Sequence, residues 1–313
     1  MVTLKSAENA LKTLYLGVVS DQLNTNINPL FAKINQTTSD VWGKEIRKLA
    51  PFGLNGGIGA GTEDGELPTP AGNNYAQFVL TLKNLYGTIE ISDKAIRASE
   101  NNAGAFVNLL NAEMEGLLKA SKFNFGRMLF GDGSGVLATT DEEISAQSVR
   151  VDSVKNLMEG MVVDFVKSNS VIGSAKGLRI TSVDRNNKIV TFHTSFSGVS
   201  AGDVITVQGS FQNEITGLKA IFSESDRLYG LSRAENQWMT PFSFMAENGK
   251  LDEVQMQKAI DMLDEVAGST ADFIVCSSGV KRAYQEYLST NRTNVDIMNL
   301  AGGYKAISYN GIP

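Results

Sequence analysis

Cysteine, histidine and clustered carboxylates are the residues with which this chain could do chemistry, and it holds few of them. One cysteine, Cys276, and one histidine, His193, stand in 313 residues. Cys276 precedes Ser277 and Ser278 at a predicted strand-to-helix junction, where a nucleophile can be presented. A thiol or hydroxyl nucleophile needs a base beside it. His193 falls instead in a β-rich region, with the alternation of an ordinary strand residue. The string therefore reads as a small apolar cysteine in a core strand, Phe273–Cys276, followed by a helix cap. One histidine and one cysteine fall short of the four nitrogen and sulfur ligands of a usual zinc site. Asp141-Glu142-Glu143, and Asp261 with Asp264-Glu265, could serve acid–base work or a divalent cation. They lack the alternating, glycine-centred spacing of a calcium loop and read as solvated helix or turn faces.

Two glycine-rich strings remain. Gly57-Ile58-Gly59-Ala60-Gly61 superficially resembles a dinucleotide loop, which needs a strand before it and a helix directly after. Glu63, Asp64, Pro68 and Pro70 follow, so no helix N-terminus is offered to a phosphate. Gly131-Asp132-Gly133-Ser134-Gly135 lacks the Lys-Ser/Thr pair of a phosphate-binding loop and reads as a turn. The residues thus predict no catalytic centre, no cofactor site and no metal site.

Composition narrows the class. Apolar residues make up 42% and charged residues 20%, a globular balance. No window approaches the roughly 18 consecutive apolar residues of a membrane helix. Lys5, Glu8 and Lys12 break up the N-terminal run, so no secretory signal is expected. A lone cysteine suits a reducing compartment, where the N-x-T triplets at Asn35 and Asn291 are chance matches. The net charge of −6 argues against a dedicated nucleic-acid binder. Local excess is slight: Lys5, Lys12, Lys33, Lys44, Arg47 and Lys48 oppose four acids in the first 50 residues, giving +2.

The elements that would position any site follow from periodicity. Residues 4–23 carry a helical stripe (Leu11, Leu14, Tyr15, Val18, Val19), broken at Asn24–Pro29; residues 30–43 read as an extended arm or a short helix. Glu45–Leu49 and Tyr75–Lys83 read as strands, with Phe78, Leu80 and Leu82 on one face and Gln77, Thr81 and Lys83 on the other. Between them lie seven glycines (53, 56, 57, 59, 61, 65, 72) and three of the six prolines. So long a loop is functional or disordered as a rule, and a two-stranded ribbon is marginal alone in water. The arm therefore needs a partner surface. Ile89 and Ile91 read as a further strand, Ser92 as the cap of a helix from Asp93, and 106–125 as a long helix with one stripe (Phe106, Leu109, Leu110, Met114, Leu117, Leu118).

The period then changes to two. Val149–Val154, Met161–Val166, Leu178–Val183, Ile189–His193 and Val204–Val207 read as strands, with hairpin turns at Asp184–Lys188 and Ala201-Gly202-Asp203. A small barrel or sandwich inserted in the chain is expected. Beyond Gly217 a helix is predicted over 251–267, with Met256, Ile260 and Leu263 inward and Gly268 past its end, and another over Ser278–Leu288.

The order of these elements resembles a tailed-bacteriophage major capsid protein of the Hong Kong type. The strings that carry the likeness are Gly57-Ile58-Gly59-Ala60 with Glu66-Leu67-Pro68, then Leu85-Tyr86-Gly87-Thr88-Ile89-Glu90-Ile91-Ser92. Asn124-Phe125-Gly126-Arg127, leading to Gly131-Asp132-Gly133-Ser134-Gly135, completes them. The likeness spans essentially the whole chain, and its specificity lies in the order of the strings. It implies an α+β chain with an N-terminal arm (1–43), an extended E-loop hairpin (44–91) and a peripheral domain with a spine helix (92–146). A β insertion domain (147–215) and an axial domain (216–313) would follow. It implies that the E-loop contacts a neighbouring subunit through Lys44, Arg47, Lys48, Gly57, Gly59, Gly61, Glu63, Asp64 and Glu66.

It further implies hexamers and pentamers closing into an icosahedral virion shell around double-stranded DNA, packaged without sequence specificity. Assembly would proceed in the bacterial host cytoplasm with scaffold and portal proteins, and decoration proteins are possible partners; no membrane is involved. The chain stops just after Asn310-Gly311, a hairpin turn signal, where such proteins continue with further strands, so a longer natural chain is expected. Three other readings remain: a cellular nanocompartment (encapsulin-like) shell, a tail-associated or adhesin-like binding module using 147–215, and a hydrolase using Cys276 or paired carboxylates.

Overall fold

A computed structural model of the chain describes residues 28–37, 41, 43–90, 103–223, 225–243, 245, 252–290, 297–299 and 305–313. The helix expected over 4–23, the Ser92 cap and Ile91 lie outside the described residues. The fold is mixed α and β, with one large antiparallel sheet and few helices. The chain divides into two units, Met1–Gln36 with Phe242–Pro313, and Thr37–Pro241.

Helix α1 (Pro29–Lys33) is the short helix foreseen as one alternative for this stretch. Pro29 starts it rather than breaking a helix, because the first helical position has no N–H to lose. Asn28 caps it, its side-chain oxygen accepting from the Phe31 N–H at 2.8 Å.

In the Thr37–Pro241 unit, β1 (Glu45–Phe52) and β2 (Asn74–Thr81) form an antiparallel ribbon. The strand expected at Ile89 is absent: residues 82–90 carry no ladder, and Leu82 is exposed beyond the end of β2. Helix α2 (Ala103–Met128) contains the predicted long helix and runs past it at both ends. Of its stripe, Met114, Leu117 and Leu118 are half-buried.

The β region closes into a barrel. Its strands are β3 (Val136–Ser145), β4 (Ser148–Val151), β5 (Val162–Lys167), β6 (Ser170–Val171), β7 (Leu178–Asp184), β8 (Ile189–Phe192) and β9 (Val204–Val207). The order β5-β7-β8-β4-β3-β9 returns to β5, and β6 is appended to β5. Alternate side chains fill the interior, where Phe165, Phe192 and Phe196 meet with ring centroids 5.4–5.6 Å apart. Closure removes the open edges a sheet of this size would otherwise present.

Three expectations change here. Strand β3 was not foreseen; Asp141-Glu142-Glu143 belongs to its exposed outer half, not to a helix or turn. The sheet thus begins at Val136, ahead of the boundary expected at 147. Ala201-Gly202-Asp203 is a turn but not a hairpin, since β8 pairs with β4 and β7 while β9 pairs with β3 and β5. Asp184–Lys188 does join paired strands, with Asp184 Oδ1 accepting from the Asn186 and Asn187 N–H groups.

Buried acids hold the barrel and its base. Asp164, fully buried in β5, accepts from the Gly177 N–H at 2.8 Å and the Gly209 N–H at 2.9 Å. Where the chain enters and leaves the barrel, Arg127 of α2 donates both Nη groups to Glu214, at 2.8 and 2.5 Å. Both side chains are buried; removing either would strand a charge at roughly 3–5 kcal/mol. Helix α3 (Leu218–Phe222) follows, its Leu218 N–H bonded to the Leu129 carbonyl. Arg233 donates to the carbonyls of Ala220, Ile221 and Ser223, closing the end of α3. The two-residue strands β10 (Arg227–Leu228) and β11 (Leu231–Ser232) form a tight hairpin.

In the other unit, α4 (Glu253–Ala267) is capped by Asp252, and Gly268 ends it in the left-handed conformation at φ 57°. Met256, Ile260 and Leu263 are half-buried as expected, while Val254 and Val266 are exposed. Phe273–Cys276 is not a strand, and Ile274, Val275 and Cys276 are exposed. Among the described residues, the backbone there is bonded only where the Ile274 N–H meets the Pro313 carbonyl. An apolar run without a partner ladder does not make a core strand. Helix α5 (Ser278–Thr290) follows, with the Ser277 hydroxyl accepting from the Val280 N–H at 3.4 Å. Strands β12 (Ile297–Asn299) and β13 (Lys305–Ile307) pair. Asn310 and Gly311 take φ 49° and 79° between the bridged Tyr309 and Ile312.

At the barrel base, burial alone would raise the Asp132 carboxyl. Hydrogen bonds from Lys219 and Ser134 outweigh it and lower the group to about 2. A carboxylate with a depressed folded-state pKa adds stability that is complete above its unfolded value and lost as pH falls through the folded one. Asp132→Asn should therefore cost about 1 kcal/mol at neutral pH, the group being partly exposed and screened. It should also flatten the loss of stability between about pH 4 and 2. Urea unfolding of both proteins across that range checks this; parallel curves would contradict it.

Candidate assembly interface

The ribbon is built so that one face and one edge are covered and the rest is open. Leu82 donates to the Lys44 carbonyl, which continues the β1–β2 register and turns the backbone groups of residues 46, 48, 50 and 52 inward. The groups of Glu45, Arg47, Leu49 and Pro51 thus point outward from β1. Proline at such a position costs no ladder bond. On the other edge Val79 points outward, and its N–H donates to the Tyr229 carbonyl at 2.9 Å.

Side chains divide by the same alternation. Ile46, Ala50, Phe52, Ala76, Phe78 and Leu80 share one face and are buried or half-buried. That face is held by the β10–β11 turn and the stretch after β11. Trp238 stacks on Phe52 with centroids 5.0 Å apart and an interplanar angle of 8°. Phe78 meets Tyr229 and Trp238 edge-on at 6.0 and 6.1 Å. Each such pair contributes about 1 kcal/mol beyond its buried area. Periodicity gives no sign of this clamp, because its residues lie far along the chain from the ribbon.

The opposite face is open. Leu49 is 64% and Tyr75 58% exposed, beside Pro51, Gln77 and Arg47.

Beyond the ribbon the loop runs on as two close strings. Asn55 Nδ2 donates to Asn73 Oδ1 at 3.0 Å, and Asn55 Oδ1 accepts from the Gly57 N–H. A Cβ at Gly57 would lie 3.3 Å from the Ala71 nitrogen, and one at Gly59 3.1 Å from Pro68 Cγ. Glycine here lets the two strings approach. Between residues 53 and 73 the described backbone bonds are few; Gly65 N–H to the Thr62 carbonyl closes the outermost turn at 3.0 Å. Leu54, Ile58 and Leu67 stand in this loop at 91%, 88% and 90% exposure. The sequence alone did not single them out, since they belong to no periodic pattern.

The expected contact residues separate into two groups. Lys44, Arg47 and Lys48 sit at the root, all exposed, with Arg47 3.4 Å from Glu45 in a solvent-facing ion pair. Glu63 and Asp64 lie in the outermost turn, with Glu66 just after it, and Gly59 and Gly61 lie nearby, all exposed. The ribbon's eight-residue strands span roughly 26 Å, so root and tip are well beyond a Debye length of about 8–10 Å.

The residues weighed for chemistry are placed as follows. Cys276 is exposed. His193 lies just past β8, its Nδ1 accepting from the Arg179 N–H at 3.1 Å. Glu142 pairs with Arg150 at 2.9 Å, and Asp261 accepts from Gln257. Among the described residues no group of three or more His, Cys, Asp or Glu side chains could hold a metal ion. No described helix is long and apolar enough to cross a membrane.

Comparison with protein-family models, with curated proteins and with solved structures returned no match.

Trp238→Ala should loosen the ribbon and leave the barrel intact. Amide exchange over residues 46–52 and 74–80 should quicken at least about tenfold, the equivalent of roughly 1.4 kcal/mol. Unchanged exchange there would mean that the aromatic clamp does not hold the arm.

Proposed function

We propose that the chain is a self-assembling shell subunit whose arm grips neighbouring copies, with no catalytic role of its own. The observation that carries this reading is the arm's outer end, where Leu54, Ile58 and Leu67 are about nine-tenths exposed. Fully burying such side chains is worth roughly 1.5–3 kcal/mol each. A loop this extended has no interior of its own, so the burial must come from another surface. Association also costs about 4–15 kcal/mol in lost freedom, so one arm contact is weak alone. Contacts repeated around a closed assembly gain through effective concentration.

The resemblance to Hong Kong-type capsid proteins makes the assembly specific. The ribbon is its E-loop, α2 its spine helix and the barrel its inserted domain. The product is a virion shell of hexamers and pentamers around double-stranded DNA. Scaffold and portal proteins assist in the host cytoplasm, and Hong Kong-type axial packing belongs to the 216–313 region.

Replacing Leu54, Ile58 and Leu67 together by serine should leave the melting temperature of the unassembled chain unchanged, since none of them is buried. By electron microscopy and light scattering the wild type should form megadalton particles and the variant should not. Particles of normal size and yield from the variant would refute the arm's role. Nucleic acid in purified particles separates a virus shell from a protein-filled compartment.

A further inference from the structure

On the reading above, the arm needs an address on its neighbour, and the arm itself carries one. From Leu49 to Leu82 the charged residues are Glu63, Asp64 and Glu66, with no base among them. The root holds Lys44, Arg47, Lys48 and Lys83 against Glu45. These opposite charges lie too far apart within one arm to neutralise each other across water. The acidic tip carries Ile58 and Leu67, and the face the clamp leaves open carries Arg47 near the root, then Leu49, then Tyr75 opposite Pro51 at its outer end.

We propose that the acidic, apolar tip of one arm docks on the open face and basic root of the arm of a second copy. Tip and root are different surfaces, so the contact is head-to-tail and repeats around a ring instead of closing a two-fold pair. The occupant is another copy of this chain because the tip complements the root in sign and the ribbon's open face in apolar character. The clamp sets the geometry. It covers the face bearing Phe52 and Phe78, leaving Arg47, Leu49 and Tyr75 to the incoming tip. The Arg47–Glu45 pair is no obstacle, since a solvent-facing ion pair at 3.4 Å is weak.

Charge reversal in the full-length chain tests the address. Asp64→Lys with Glu66→Lys at the tip, and Lys44→Glu with Arg47→Glu at the root, should each lower the sedimenting fraction at fixed concentration by about tenfold or more. The four-site combination restores opposite signs across the contact and should bring assembly back to within about threefold of wild type. An unchanged fraction in either reversal, or a combination no better than the worse reversal, overturns the proposed address while self-assembly stands. A wild type that never sediments overturns both. Should a reversal variant fail to fold, wild-type assembly decides: it should weaken between about 50 and 500 mM salt, and indifference to salt overturns the proposal.

Discussion

A two-stranded ribbon has two faces and no interior, and that constraint organises what surrounds it. Apolar side chains on such a ribbon must be covered by something else or remain in water. The chain covers one face itself, with Trp238 and Tyr229 against Phe52 and Phe78. It also satisfies the outer edge of β2 at Val79. Those contacts stop where the strands stop. From Gly53 onward the loop has left the clamp, and Leu54, Ile58 and Leu67 stand exposed. Scattered exposed apolar residues are ordinary on a protein surface; two leucines and an isoleucine in one glycine-spaced loop, each about nine-tenths exposed, are what the proposed contact rests on.

The barrel meets the same demand in the opposite way. Its sheet returns on itself, so the ladder has no open edge except at β6, and its phenylalanines face inward. Asp164, on the opposite side of β5 from Val163 and Phe165, is buried at the cost of desolvation, offset by two backbone N–H donors that fix the Gly177 and Gly209 turns. The buried Arg127–Glu214 pair then ties α2 to the segment leaving the barrel. Barrel and arm thus differ: the barrel buries its apolar side chains within itself, and the arm's outer loop leaves Leu54, Ile58 and Leu67 exposed.

Much of this was legible in the sequence where the signal is local. Period-two alternation located β1, β2 and five of the barrel strands; Gly268 ends α4 as capping chemistry requires. The misses are non-local or ambiguous. Strand β3 is buried only at Leu137, Ala138 and Thr140 before its acidic outer half, so no alternation survives along it. Phe273–Cys276 has strand composition but no ladder, which composition cannot reveal. At the proposed interface, the sequence shows the loop's glycines and the placing of its charges directly. The exposure of Leu54, Ile58 and Leu67 and the Trp238 clamp could not be read, because exposure and stacking depend on which distant residues meet.

The central claim is that the arm's tip is covered by another molecule of the same chain. Hydrogen exchange measured on dilute monomer and on assembled particles tests it directly. The account predicts that amides 54–72, which have few internal partners, slow by about tenfold or more on assembly, while the barrel strands keep their rates. Particles whose tip exchanges as fast as in the monomer would contradict it.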